Sequence, residues 1–192
     1  MTDAHAPHLR RLGRAIEQAR TDEERARLRL ERALWSGDVT EVLDLLGARH
    51  PDEVTDAATG DRPIHHAIGI APAPGLRALI ARGADVDYVA DDGFPALLNA
   101  IHHTEDPAER RAVVRVLIDA GADLERVGHN GWRPLHVAAL TDDPALVRML
   151  LDAGADAHAK TTVDDRWTAT EEAEEFGKQA GAEAIRAWLA ER

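Results

Sequence analysis

Cysteine is absent from this chain of 192 residues, so disulfides, thiolate nucleophiles and cysteine-ligated zinc are excluded. Serine is nearly as scarce: Ser36 stands alone, and its setting, LWSGDV, is not the G-x-S-x-G elbow of a serine hydrolase. No apolar run approaches the roughly 18–20 residues that span a bilayer. The opening stretch MTDAHAPHLRRLGRAIEQAR lacks the apolar core of a secretory signal, so a cytoplasmic location is the expectation. Lysine occurs only at Lys160 and Lys178, against 21 arginines, a bias that with the abundant alanine fits a GC-rich bacterial genome. Only seven residues are aromatic: Trp35, Tyr88, Phe94, Trp132, Trp167, Phe176 and Trp188.

The chain does carry charge, and its sign is negative. A formal net charge of −12 repels nucleic-acid phosphates and anionic lipid over most of the surface, so neither is expected as a partner. The same charge suits a basic protein partner. Arg25, Arg27, Arg29 and Arg32 make a basic stretch, but Asp22, Glu23, Glu24 and Glu31 interleave with it. The pattern reads as a solvated helix face laced with ion pairs. The acidic run EEAEEF at 171–176 reads as a capping face.

What the chain has in quantity is repetition. ARGADVDYVA (81–90), DAGADLERVG (119–128) and DAGADAHAKT (152–161) are three versions of one segment, with Gly83, Gly121 and Gly154 lying 38 and 33 residues apart. Each is preceded by a run of helical spacing, GLRALI, VVRVLI and LVRMLL. Second helical starts read GDRPIHHAI (60–68), GFPALLNAI (93–101) and GWRPLHVAA (131–139). Small residues such as Ala67, Ala100, Ala138 and Ala139 let first helices approach closely, while Leu, Ile and Val on the second helices are buried between units. Asp38, Asp106 and Asp143 stand where second helices begin, with Pro107 and Pro144 next, and the three glycines fall just past helix ends. Thr21-Asp22-Glu23-Glu24 has the form of a capping box, which leaves 8–20 as an additional amino-terminal helix.

These residues resemble the ankyrin repeat. The family pattern T-P-L-H-x-A, followed by a second helix and a G-A-D turn, is matched by Arg133-Pro134-Leu135-His136-Val137-Ala138 and Gly154-Ala155-Asp156. Arg62-Pro63-Ile64-His65-His66-Ala67 and Gly83-Ala84-Asp85 form a second copy. A third, at 95–123, departs more: Ala96 replaces the proline, Leu98 the histidine, and about five extra residues lengthen HHTEDPAER. Weaker copies flank these at 31–48 and 166–191, the last polar, as a terminal repeat with one wet face should be. The expected fold is an all-α ankyrin-repeat solenoid with an extra amino-terminal helix. Residues 1–21 would form the extension, and 22–192 a repeat domain with units 22–58, 59–90, 91–127, 128–161 and 162–192.

The resemblance implies a non-enzymatic protein-binding module that needs no cofactor and uses its concave side. In the family, the residue between the turn glycine and T-P faces the partner, which here selects Asp61, Phe94, Trp132 and Trp167. Positions after the paired small residues of the first helices give Trp35, Ser36, Gly69, Ile70, His102, His103, Leu140, Thr141, Glu175 and Phe176, and hairpin positions give Asp91, Asp92, His129 and Asn130. An aromatic at a hairpin base can instead lie flat on the next hairpin and close the stack, and both readings stand at this stage. Trp188, on the last apolar helix face, reads as core. The partner protein is unnamed by sequence. It is either an enzyme inhibited by this chain, as by an inhibitor or immunity protein, or one it accompanies as an accessory, and the chain acts as monomer or homodimer. A different class, a metal- or small-ligand-responsive protein, would use the histidines of the concave face. Against it, His65-His66 and His102-His103 are adjacent pairs that diverge by about 100° on a helix.

Overall fold

The computed structural model describes residues 6–53, 62–68, 73–90, 93–128, 131–162 and 166–192. The chain divides into two compact units, Met1–Val86 and Asp87–Arg192. The first unit contains α1 (Ala6–Gln18), α2 (Asp22–Ser36), α3 (Val39–Leu46), a 3-10 turn at Pro51–Glu53, α4 (Pro63–Ala67) and α5 (Ala73–Ala81). The second contains α6 (Ala96–His103), α7 (Pro107–Asp119), α8 (Pro134–Leu140), α9 (Pro144–Asp152), α10 (Ala169–Glu175) and α11 (Gln179–Ala190).

Local chemistry places the helix starts where the sequence puts cap residues. The carboxylates of Asp38, Asp106 and Asp143 accept the N–H groups of Glu41, Glu109 and Leu146 at 3.0, 2.8 and 3.1 Å. Thr21 accepts the N–H of Glu24 at 3.1 Å, and the Glu24 carboxylate reaches back to the N–H of Arg20, one residue ahead of the cap. Helix ends are as regular. Gly121 and Gly154 have φ of 88° and 109°, and the next residues, Ala122 and Ala155, donate to Leu117 and Leu150, each at 3.0 Å. A side chain at either glycine would be strained, which explains the repeated G-A-D.

Within each unit, packing follows the same plan. Helices pair as α2/α3 and α4/α5 in the first unit, and as α6/α7, α8/α9 and α10/α11 in the second. Pairs then stack: α2 on α4 and α3 on α5 in the first unit; α6 on α8, α8 on α10, and α9 on α11 in the second. The second unit's core is Val113, Val114, Val116 and Leu117 of α7, Leu146, Val147, Leu150 and Leu151 of α9, and Ile185 of α11, all buried. Between first helices the contact is made by small residues, Ala138 and Ala139 being fully enclosed. Polar ties join successive copies: Asp85, Asp123 and Asp156 donate their backbone N–H groups to Asp52, Asp87 and Glu125 at 3.1, 2.8 and 2.8 Å.

Candidate functional site

Three hairpin bases share one backbone arrangement. The carbonyl of Phe94 accepts the N–H of Ala90 at 3.2 Å, that of Trp132 the N–H of Gly128 at 3.0 Å, and that of Trp167 the N–H of Thr161 at 2.9 Å. The three aromatics therefore occupy one station in successive hairpins, and all are half-buried. His136, 1% exposed, ties two hairpins together. Its Nδ1 lies 3.4 Å from the Arg133 N–H and its Nε2 lies 3.1 Å from the Trp167 carbonyl. Only the neutral Nε2–H tautomer serves both bonds. Burial holds this imidazole below its ordinary pKa of 6.5; the Trp167 carbonyl opposes the shift and the Arg133 charge adds to it.

Beside that row, the structure gathers several of the expected residues. Phe94 meets the exposed rings of His102 and His103 at centroid distances of 5.8 and 6.1 Å, and the two imidazoles lie 4.7 Å apart. His102 also borders a cleft of about 320 Å³ between α6 and α8, lined by Ile101, His102, Arg110, Trp132, Val137, Leu140 and Thr141. Of these, Ile101 and Val137 are buried, while Trp132 and Leu140 are half-buried. Such a concave apolar patch with a few polar groups at its margin is the usual form of a recognition site. Among the described residues no group of three histidines or carboxylates could hold a metal ion.

Trp132 bonds to α10 and also borders the cleft. Its indole N–H donates to the carboxylate of Glu172 on α10, while its ring lines the cleft. Glu172 is 3% exposed, so one glutamate of the run 171–176 turns away from solvent. Burial raises its carboxyl above the ordinary 4.5, with the Trp132 bond pulling the other way, and its Oε2 has no partner among the described residues. A helix periodicity of 3.6 turns one glutamate of such a run inward while Glu171 and Glu174 remain exposed.

Trp35 is engaged inside the first unit. The imidazole of His8 on α1 lies 4.7 Å from its ring, His66 on α4 lies 5.5 Å away, and Leu12, Ala15 and Ile16 of α1 belong to the same apolar cluster. An amphipathic α1 therefore covers the position expected to face a partner. Trp188 departs from the expected core placement: it is half-buried, its Nε1–H donates to Asp152 at 2.8 Å, and the Arg192 guanidinium lies 3.5 Å over its ring. Phe176 is 57% exposed. Asp61, Gly69, Ile70, Asp91, Asp92, His129 and Asn130 lie outside the described residues. Sequence reasoning did not single out Arg110 or Glu172. Arg110 ends the lengthened stretch HHTEDPAER, the one signal that could have drawn attention to it.

Comparison with known proteins agrees with this geometry. Residues 76–161 match a family model described as ankyrin repeats, in three copies. The chain is also 34% identical over 96 residues to the ankyrin repeat domain-containing protein M-T5 of Myxoma virus (strain Lausanne), an alignment covering 50% of this chain and 20% of that protein. The chain thus spans about a fifth of the length of this relative. No described helix is long and apolar enough to cross a membrane. Over residues 76–161, where three G-A-D turns recur, the chain is thus similar to ankyrin-repeat proteins.

Proposed function

We propose that this protein is a non-enzymatic interaction module that binds a partner protein through the face carrying Phe94, His102, His103, Trp132 and Leu140. The observation that carries the reading is the cleft walled by Trp132 and Leu140 beside the Phe94–His102–His103 cluster. Half-buried aromatics around a concave apolar patch are where binding energy concentrates, single truncations costing roughly 2 kcal/mol or more. Trp167 extends the row by its matched station, and the five hairpins are five repeats, the outer ones degenerate.

The test is retention of partners from a lysate of the source organism by wild type, by His102→Ala/Leu140→Glu, and by Glu183→Ala, an exposed position on α11. Circular dichroism verifies that each variant is folded. A protein retained by wild type and Glu183→Ala and released by the double variant supports the face. Equal retention by all three overturns it. Within this reading the partner is an enzyme that the chain inhibits or accompanies. The −12 charge favours a basic partner, whose association rate should fall steeply with added salt. A salt-insensitive rate would remove that version and leave the face intact.

A further inference from the structure

Among the described residues four arginines are half-buried, and three of them meet a carboxylate. Arg62 lies 3.7 Å from Asp52 and 3.8 Å from Asp85, Arg111 lies 2.7 Å from Asp143, and Arg133 lies 3.2 Å from Glu125. Arg110 meets none among the described residues. Its Nε donates to the Thr104 carbonyl at 2.9 Å and its Nη2 to the Glu105 carbonyl at 3.2 Å, which leaves Nη1 unbonded. In a chain with 35 acidic and 23 basic side chains, a half-buried arginine with no carboxylate partner among the described residues stands apart. The two carbonyl bonds hold the guanidinium in place, so little side-chain freedom would be lost when an anion arrived. Arg110 also lines the cleft, beside His102.

We propose that the α6–α8 cleft seats a two-part feature of a partner protein: one large apolar side chain, with an aspartate or glutamate carboxylate close to it in the same segment. This rests on the binding face proposed above and names the chemistry that the face selects. The apolar side chain packs against Trp132, Leu140, Ile101 and Val137. The carboxylate takes the free Nη1 side of the Arg110 fork in a charge-assisted bond. A volume of about 320 Å³ suits one or two side chains rather than a large cofactor. The Trp132 indole N–H is already bonded to Glu172, so the ring offers the ligand an apolar wall. Locally the selected partner is acidic, although the whole chain is acidic as well; the specificity lies in this one cation.

The probe is a random dodecapeptide library displayed on phage and selected on the immobilised full chain. Enriched peptides are then synthesised with a dye for fluorescence anisotropy. Expected is an Asp or Glu within about four residues of a large apolar residue. Replacing that acid by its amide in the peptide should weaken binding to wild type about tenfold, and binding to Arg110→Gln less than about twofold. Because Arg110 also staples the α6–α7 turn, Arg110→Lys is measured beside it and should keep part of the acid preference. The peptide-side change leaves the protein itself untouched. No enrichment of any peptide, enrichment without acid, or an equal amide effect on wild type and Arg110→Gln overturns the proposal. Peptides lacking acid that still lose affinity for Leu140→Glu would overturn only this inference. Peptides indifferent to Leu140→Glu would overturn the face as well.

Discussion

Gly181 lies in α11 where that helix packs on α8, and a methyl group there has nowhere to go. A Cβ at 181 would overlap the carbonyl oxygen of Ala139 and sit 2.8 and 2.9 Å from its carbonyl carbon and Cα. In an unobstructed helix, Gly→Ala is worth about 1 kcal/mol of added stability. Against that gain stands overpacking, which costs about 1–3 kcal/mol and reaches the upper end when the obstacle is backbone rather than a movable side chain. Gly181→Ala should therefore destabilise by about 1–2 kcal/mol net, lowering the melting temperature by roughly 2–8 °C in a chain of this size. Gly13 in α1 supplies the control, because a Cβ there meets nothing within 4 Å. Gly13→Ala should gain up to about 1 kcal/mol. Urea unfolding followed by circular dichroism gives the sign directly. Tryptophan emission adds a local probe, since Trp132, Trp167 and Trp188 all lie in the unit that holds Gly181. A midpoint for Gly181→Ala equal to or above wild type, with Gly13→Ala behaving as expected, would refute the close α8–α11 contact.

His136 is held neutral, with a folded pKa below 6.5, so its stabilising bonds are fully present above about pH 6.5 and are lost as pH falls toward the depressed value. Urea midpoints should decline across that window for wild type, and His136→Gln should start lower and lack this part of the decline. Glu172 has the opposite sign: the folded chain keeps this proton to higher pH than the unfolded chain does, so stability falls as pH rises from 4.5 through the raised value. Glu172→Gln keeps an acceptor for Trp132 and should be more stable at neutral pH by about 1 kcal/mol; a midpoint below wild type would contradict the buried-charge argument. Leu12→Asp places a charge in the cluster that joins α1 to Trp35, and should detach α1 at a cost of about 3 kcal/mol. The Trp35 indole resonance in a heteronuclear NMR spectrum reads this out, and an unmoved resonance would show that α1 does not cover it.

The expected amino-terminal helix at 8–20 is α1 at Ala6–Gln18, and the Asp caps and turn glycines stand where their spacing placed them. These features are legible because each depends on a few neighbouring residues. An aspartate three residues ahead of the N–H it accepts, or a glycine at positive φ, needs no distant partner. The station of Phe94, Trp132 and Trp167 was legible for a related reason: repetition makes one hairpin's register predict the next.

The helical hairpins, their repetition and the aromatics at their bases are therefore written in local sequence. Tertiary structure alone decided what those aromatics touch. Whether Trp35 meets solvent depends on α1, whose His8 lies 27 positions away in the chain, and the bond from Trp132 goes to Glu172, 40 positions away. Which glutamate of a run turns inward, which glycine abuts a backbone carbonyl, and which half-buried arginine lacks a carboxylate are likewise settled by how hairpins stack. Burial and pairing are properties of the space between segments, and local spacing carries no record of what lies across that space.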